Sequence, residues 1–179
     1  MKKILQKEQA VLRYKALPVP LAQIKSEKIQ SIIKDMKEAL ASQDDGVAIA
    51  APQIGASYRI FVVSGKIFDP AFANPDLVSK NRRTYPDLVF INPQITKLSK
   101  KKQLMPEGCL SVRWLYGDVE RSTQATVTAY DEHGESFVRG ASGLLAQIFQ
   151  HEIDHLDGIL FIDKAHNLEE VTPEKNHEY

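Results

Sequence analysis

The chain has 179 residues, 43% of them apolar and 26% charged, which suits one globular domain with its own core. Lys plus Arg and Asp plus Glu balance at 23 each, so neither nucleic acid nor an anionic membrane is expected as the main partner, and short basic runs such as residues 100–102 read as solvated loop. A single cysteine, Cys109, excludes an internal disulfide; no run is long enough to span a bilayer; and the start of the chain has neither a signal-peptide core nor transit-peptide composition, so a cytoplasmic protein is expected.

In chain order, residues 27–42 place Ile29, Ile32, Ile33, Met36, Ala39 and Leu40 on one face at helical spacing, which predicts a helix ended by Asp44-Asp45-Gly46. Residues 59–64 (Arg-Ile-Phe-Val-Val-Ser) are rich in β-branched and aromatic side chains and predict a buried strand. Residues 66–86, with Pro70, Pro75 and Pro86, read as a long surface loop. Residues 88–92 and 94–98 read as two strands interrupted at Pro93. Residues 124–130 alternate Ala125, Val127 and Ala129 with polar or half-polar neighbours; Asp131-Glu132-His133-Gly134 supplies a turn and residues 135–139 a return strand, a hairpin pattern. Ser142 is placed to cap a helix running to about Leu156, which Gly158 ends. From about residue 168 the chain is a polar tail, expected to be poorly ordered. The expectation is a single domain over residues 1–179 of the α+β class: antiparallel β-sheets packed around one central helix, with a further helix in the N-terminal part.

That central helix carries Gln150-His151-Glu152-Ile153-Asp154-His155. Two histidines four apart lie one turn apart on the same helix face, so both rings can meet one metal ion with Glu152 beside it. This is the H-E-x-x-H pattern of metal-dependent hydrolases, in which the Glu takes a proton from water. The bland alternative is a surface helix with two chance histidines. Leu144, Leu145, Ile148 and Phe149 argue against it, because they make this a core helix whose polar groups need partners.

A third ligand is needed. One metalloprotease class continues the motif to a further histidine; here Gly158 falls in register but the final position is Phe161, which cannot ligate. Glu169 and Glu170 are carboxylates within the polar tail, and Cys109 is the remaining soft donor. A thiolate with two imidazoles and one open position makes a sensible catalytic site. The competing reading of Cys109 is a small buried hydrophobe, the usual state of a free cysteine.

Cys109 lies in Glu107-Gly108-Cys109-Leu110-Ser111, and earlier comes Gly46-Val47-Ala48-Ile49-Ala50-Ala51-Pro52-Gln53-Ile54-Gly55. With the helix motif, these blocks resemble the three signature motifs of the peptide deformylases, in the family's order and at compatible spacing. The resemblance implies that Cys109, His151 and His155 hold the metal, with water as fourth ligand. It implies Glu152 as general base and then acid, with the Gln53 amide and the Leu110 N–H steadying the oxyanion. Gly46, Val47 and Ala48 would lie along the substrate, the Val47 backbone pairing with the peptide. The implied activity is hydrolysis of the formyl group from the initiator methionine of nascent polypeptides, with release of formate. The implied ion is Fe(II), with zinc, nickel or cobalt as substitutes. The implied partners are N-formylmethionyl peptides and nascent chains at the ribosome, in bacterial cytoplasm.

Two positions depart from the family pattern. Ala48 stands where the family usually has Gly, and Gln147 stands one turn before His151 where an apolar pocket residue is usual. The added methyl at Ala48 narrows the approach to the metal, so altered fit with retained activity is expected; Gln147 either lines the methionine pocket or bonds to nearby backbone. Tyr116, Arg121 and the 66–86 loop are further candidates for shaping specificity, and Arg113 and Trp114 either border the pocket or are buried in the fold. Two other readings of the site are a metal-dependent endopeptidase and a non-catalytic zinc module with its fourth position closed by protein.

Overall fold

A computed structural model of the chain describes residues 2–74 and 85–172. Helix α1 (Glu27–Ala41) begins where Ser26 accepts a hydrogen bond from Ile29 N, and it buries Ile29, Ile33, Met36, Ala39 and Leu40 on one face. Strand β1 (Ala48–Ala50) follows, then a 3-10 turn (Ala51–Ile54) and strand β2 (Ile60–Val63). The predicted 66–86 loop holds a 3-10 turn (Gly65–Phe68) and a short helix α2 (Pro70–Ala73), while residues 75–84 lie outside the described residues.

Strand β3 (Leu88–Leu98) is continuous where two strands were expected. Pro93 does not end it, because the register shifts between Ile91 and Gln94 and Asn92 takes a left-handed φ of 51°. Asn92 holds that bend by accepting from Val19 N at 2.8 Å and donating to Val19 O at 2.7 Å. Strands β4 (Lys102–Gly108) and β5 (Leu115–Ser122) were not anticipated; the expected hairpin is β6 (Gln124–Tyr130) and β7 (Ser136–Ser142). Helix α3 (Gly143–Leu156) has Ser142 at its N-cap, but the Ser142 side chain makes no capping bond, since the residue is finishing β7. Gly158, at φ 77°, closes the helix as expected.

The expected tail is ordered further than its composition suggested. Strand β8 (His166–Glu170) pairs with β5 although every side chain in it is exposed, because main-chain hydrogen bonds hold it and not burial. Residues 173–179 of that tail lie outside the described residues.

Among the described residues the strands pair antiparallel: one sheet runs β1-β2-β3-β6-β7 and the other β4-β5-β8, and with the helices this is the expected α+β class. The larger sheet is covered on both faces near β2. Ile60 and Val62 pack toward α1, whereas Phe61 and Val63 pack with Phe90 and Phe149 on the α3 side. The Phe61 and Phe90 rings stack at 4.5 Å, and the Phe149 ring meets Phe90 edge to face at 5.1 Å. Helix α3 touches strands of both sheets. Gln150 ties it to β5, accepting from Ser122 N and donating to Ser122 O. Among the described residues, no helix is long and apolar enough to cross a membrane.

Candidate metal centre and active site

His151 and His155 sit one turn apart on α3, their rings edge to face with centroids 5.0 Å apart. Cys109 is the residue immediately after β4, and its Sγ reaches to 3.1 Å from His155 Nε2. One donor atom from each of Cys109, His151 and His155 lies within 4.8 Å of the others. Cys109 therefore closes the triangle, while Glu169 and Glu170 lie exposed on β8, paired with Tyr116 and Leu115 of β5. Phe161, where a third histidine was ruled out, packs its ring on His151 with centroids 6.2 Å apart and planes 25° apart.

The donors are braced. His151 Nδ1 lies 2.9 Å from Glu107 Oε2, which leaves Nε2 for the triangle. Glu107 in turn is gripped by Arg121, whose Nε donates to Oε1 at 2.8 Å and whose second nitrogen donates to Oε2 at 3.0 Å. Arg121 also donates to Asp154 at 2.6 Å, and Lys164 closes the chain of charges by donating to Asp154 at 2.7 Å. Arg121 and Glu107 are almost wholly buried, at 4% and 3% side-chain exposure, so Arg121 shapes the ligand set and not the substrate pocket, contrary to one expectation for it. The sequence reading gave Glu107 and Asp154 no role. The available signal was a charge at each of three core positions, which must be paired to be tolerated.

Gln53 is placed by its own turn. Its Oε1 accepts from Ala50 N at 2.7 Å, so its amide nitrogen faces Ser111 Oγ at 3.0 Å and Cys109 Sγ at 3.6 Å. Pro52 helps set that turn by starting it with a fixed φ. Gly46 stands in close quarters: a Cβ there would come within 3.2 Å of Leu110 Cδ1 and 3.0 Å of Gln43 Cβ, so these side chains would have to shift. The Val47 carbonyl accepts from Ser64 N at 2.8 Å.

The electrostatics suit a cation. Burial pushes the Glu107 carboxyl up, but the hydrogen bonds from His151 and Arg121 outweigh it and hold the pKa at about 2, so Glu107 is a permanent anion. Burial works against charge on His151, yet its hydrogen bonds with Cys109 and Glu107 carry its pKa well above the ordinary imidazole value. Burial and the neighbouring His151 hold His155 well below that value, as a neutral ligand requires. Burial raises Glu152, and although His151 pulls it back the carboxyl stands at about 7. Glu152 Oε2 and His155 Nδ1 are buried with no hydrogen-bond partner among the described residues. A cysteine sulfur, two imidazoles and a carboxylate oxygen without a described partner at one buried spot fit a borderline divalent ion and a water molecule.

These groups meet at a cavity of about 290 Å³ lined by Gly46, Val47, Ala48, Gln53, Cys109, Leu110, His151 and Glu152 among others; His155 lies behind it, 1% exposed. Arg113, Trp114 and Tyr116 border the cavity. Arg113 is pinned there by Asp45 at 2.5 Å and stacks over Trp114 at 5.0 Å. Gln147 lines the cavity and also donates to the backbone at Pro106 O, as one of the two readings offered for it expected. Ala48 is 6% exposed with ordinary strand φ, its methyl packed in the cluster that includes Phe149 and Ile153. Glycine is thus not required here by backbone angle, and Ala48→Gly should keep catalytic activity within about threefold while changing inhibitor affinity. Steady-state kinetics and inhibitor titration on both proteins check this; loss of activity in the Gly variant would overturn it.

The profile of the family described as polypeptide deformylase matches residues 1–171. A chloroplastic/mitochondrial peptide deformylase 1A of Arabidopsis thaliana is 42% identical over 86% of this chain, and the chain spans 57% of that relative's length. A peptide deformylase of Pseudothermotoga lettingae is 40% identical over 86% of this chain and 82% of its own. Among solved structures, the Met-Ala-Ser-bound class I type b peptide deformylase of Acinetobacter baumannii superposes with a TM-score of 0.78 at 31% identity, covering 92% of this chain and 98% of the other. A profile match over nearly the whole chain, joined to the Cys-His-His triangle, places the chain in the polypeptide deformylase family.

Proposed function

We propose that this chain is a metal-dependent hydrolase that removes the formyl group from N-formylmethionyl peptides and releases formate, with nascent chains as its natural partners in a bacterial cytoplasm. The observation that carries the reading is one cavity lined by Cys109, His151, Gln53 and Glu152, with His155 behind it completing the triangle of donors and one Glu152 oxygen without a hydrogen-bond partner among the described residues. The Acinetobacter relative is described with Met-Ala-Ser bound, a peptide that begins with methionine as a deformylated product does.

Cys109, His151 and His155 would hold Fe(II), with zinc, nickel or cobalt as substitutes, since the donor set alone does not choose among them. When bound, such an ion supplies acidified water as a nucleophile at neutral pH. Glu152 accepts the proton of the attacking water; its pKa of about 7 suits a group that must both take and return a proton near neutrality. As the formyl carbon becomes tetrahedral, charge builds on its oxygen, and the Gln53 amide and Leu110 N–H donate to it. Glu152 then passes its proton to the departing nitrogen, because a neutral amine leaves far more readily than an amide anion.

Strand β1 ends one sheet and β4 ends the other, and residues of both line the cavity. A peptide lying between them gains main-chain partners by strand addition, with the Val47 N–H among them. The small formyl group fits the inner end where an internal peptide bond does not.

The test is formate release from formyl-Met-Ala-Ser by anaerobically prepared, Fe(II)-loaded protein. Fast release that a chelator abolishes, with no cleavage of internal bonds, is expected. Cleavage of unformylated peptides would favour the endopeptidase reading, and release that survives chelation would point to covalent chemistry at Cys109.

A further inference from the structure

Gln147 is a polar residue on the wall of an otherwise largely apolar recess, between Leu144 and His151 on α3. Its Nε2 donates to Pro106 O of β4 at 2.9 Å and to Glu107 Oε1 at 3.3 Å. Both of its N–H groups are therefore turned toward β4. Glu107 Oε1 also takes Arg121 Nε, and Oε2 takes the other Arg121 nitrogen and His151 Nδ1. The carboxylate that orients His151 thus has one donor that belongs to the cavity wall.

We propose that Gln147 is a positioning residue: through Glu107 it holds His151 in place for the metal, and from the same position it sets the polarity of the wall that meets the substrate's first side chain. This rests on the deformylase reading for its substrate half only. An apolar residue would seal that wall more favourably for methionine; Gln147 trades some of that contact for a fourth hydrogen bond to the brace of the metal ligand. Groups that orient metal-bound histidines commonly change metal affinity by about 10–100-fold when removed. Gln147 acts one contact further out, through a carboxylate that keeps Arg121, so a smaller effect of about 3–10-fold is expected.

The experiment compares the parent with Gln147→Leu, Glu107→Gln and the double variant, all loaded with zinc. Release of zinc to a chromogenic chelator is timed, and kcat and KM for formyl-Met-Ala-Ser are measured on the iron-loaded forms. The expected result is zinc release about 3–10-fold faster in Gln147→Leu, with little further effect of that change in the Glu107→Gln background, because the interaction runs through Glu107. On the substrate side KM should fall by roughly fourfold, the worth of about one buried methylene, while kcat also falls. Unchanged zinc release in Gln147→Leu, or an effect that adds in full to that of Glu107→Gln, would overturn the proposal. Absence of deformylation in the parent would count against the functional reading and leave the zinc-release result to decide the role of Gln147. Gln147→Met, which keeps length without donors, should reproduce Gln147→Leu and guards against a packing artefact.

Discussion

Glu152→Ala is expected to lower deformylation by about 10²–10⁴-fold while leaving one metal ion per chain, the range that general acid–base groups ordinarily supply. The expectation follows from where the carboxylate stands. Glu152 is 4% exposed on α3, next to His151, with one oxygen that none of the described residues satisfies. It is not one of the three donors that converge, so its removal leaves the triangle intact. A buried, unpartnered carboxylate costs stability, so its loss should hold the melting temperature or raise it. Metal analysis, thermal unfolding and formate assay on the same preparation separate the possibilities. A variant that keeps its metal, melts no lower and has lost activity supports the general-base role. A variant that keeps both metal and activity refutes it, and one that drops the metal makes Glu152 part of the ligand set instead. A non-catalytic zinc module predicts little change in any of the three.

Arg121→Ala should be the most destabilising single change near the site, by about 3–5 kcal/mol, because it strips the partner from charges that stay buried. Arg121 makes two bonds to Glu107 and one to Asp154, and all three residues lie at the interface of α3 with β4 and β5. Lys164 still reaches Asp154 after the change, whereas among the described residues Glu107 is left with His151 and Gln147. A chain of this size shifts its melting point by about 2–4 °C per kcal/mol, which places the drop at roughly 6–20 °C. Looser support of Glu107 should also weaken metal binding by about 10–100-fold. Denaturant unfolding of the metal-free protein gives the first number and chelator competition the second. A cost below about 1 kcal/mol, the worth of an exposed ion pair, would show that the network is not the desolvated one described.

The sequence by itself determined the elements whose periodicity is strong and local. Helix α1 was legible from six apolar residues on one face, β2 from an unbroken apolar run, and the β6–β7 hairpin from alternation around a Gly-containing turn. The histidines and Glu152 were legible for the same reason, since a spacing of four on a helix fixes their relation without any tertiary information.

Strands β4 and β5 were missed because their apolar pattern is interrupted by Pro106, Glu107, Gly117 and Arg121; Glu107, Gly117 and Arg121 take buried positions that only the charge network and the close approach of other chain segments explain. Strand β8 was read as tail because main-chain pairing leaves no mark on an all-polar sequence. The same limit governed the site. Cys109 lies more than forty residues from His151 in sequence, and only the poor order expected of the tail set it ahead of Glu169 and Glu170. Only the packing of α3 between the two sheets brings the end of β4 to the histidines, joins Glu107 to His151 and puts Gln147 on both the cavity wall and that carboxylate. Those are contacts between segments remote in the chain, and their geometry is decided by the fold as a whole.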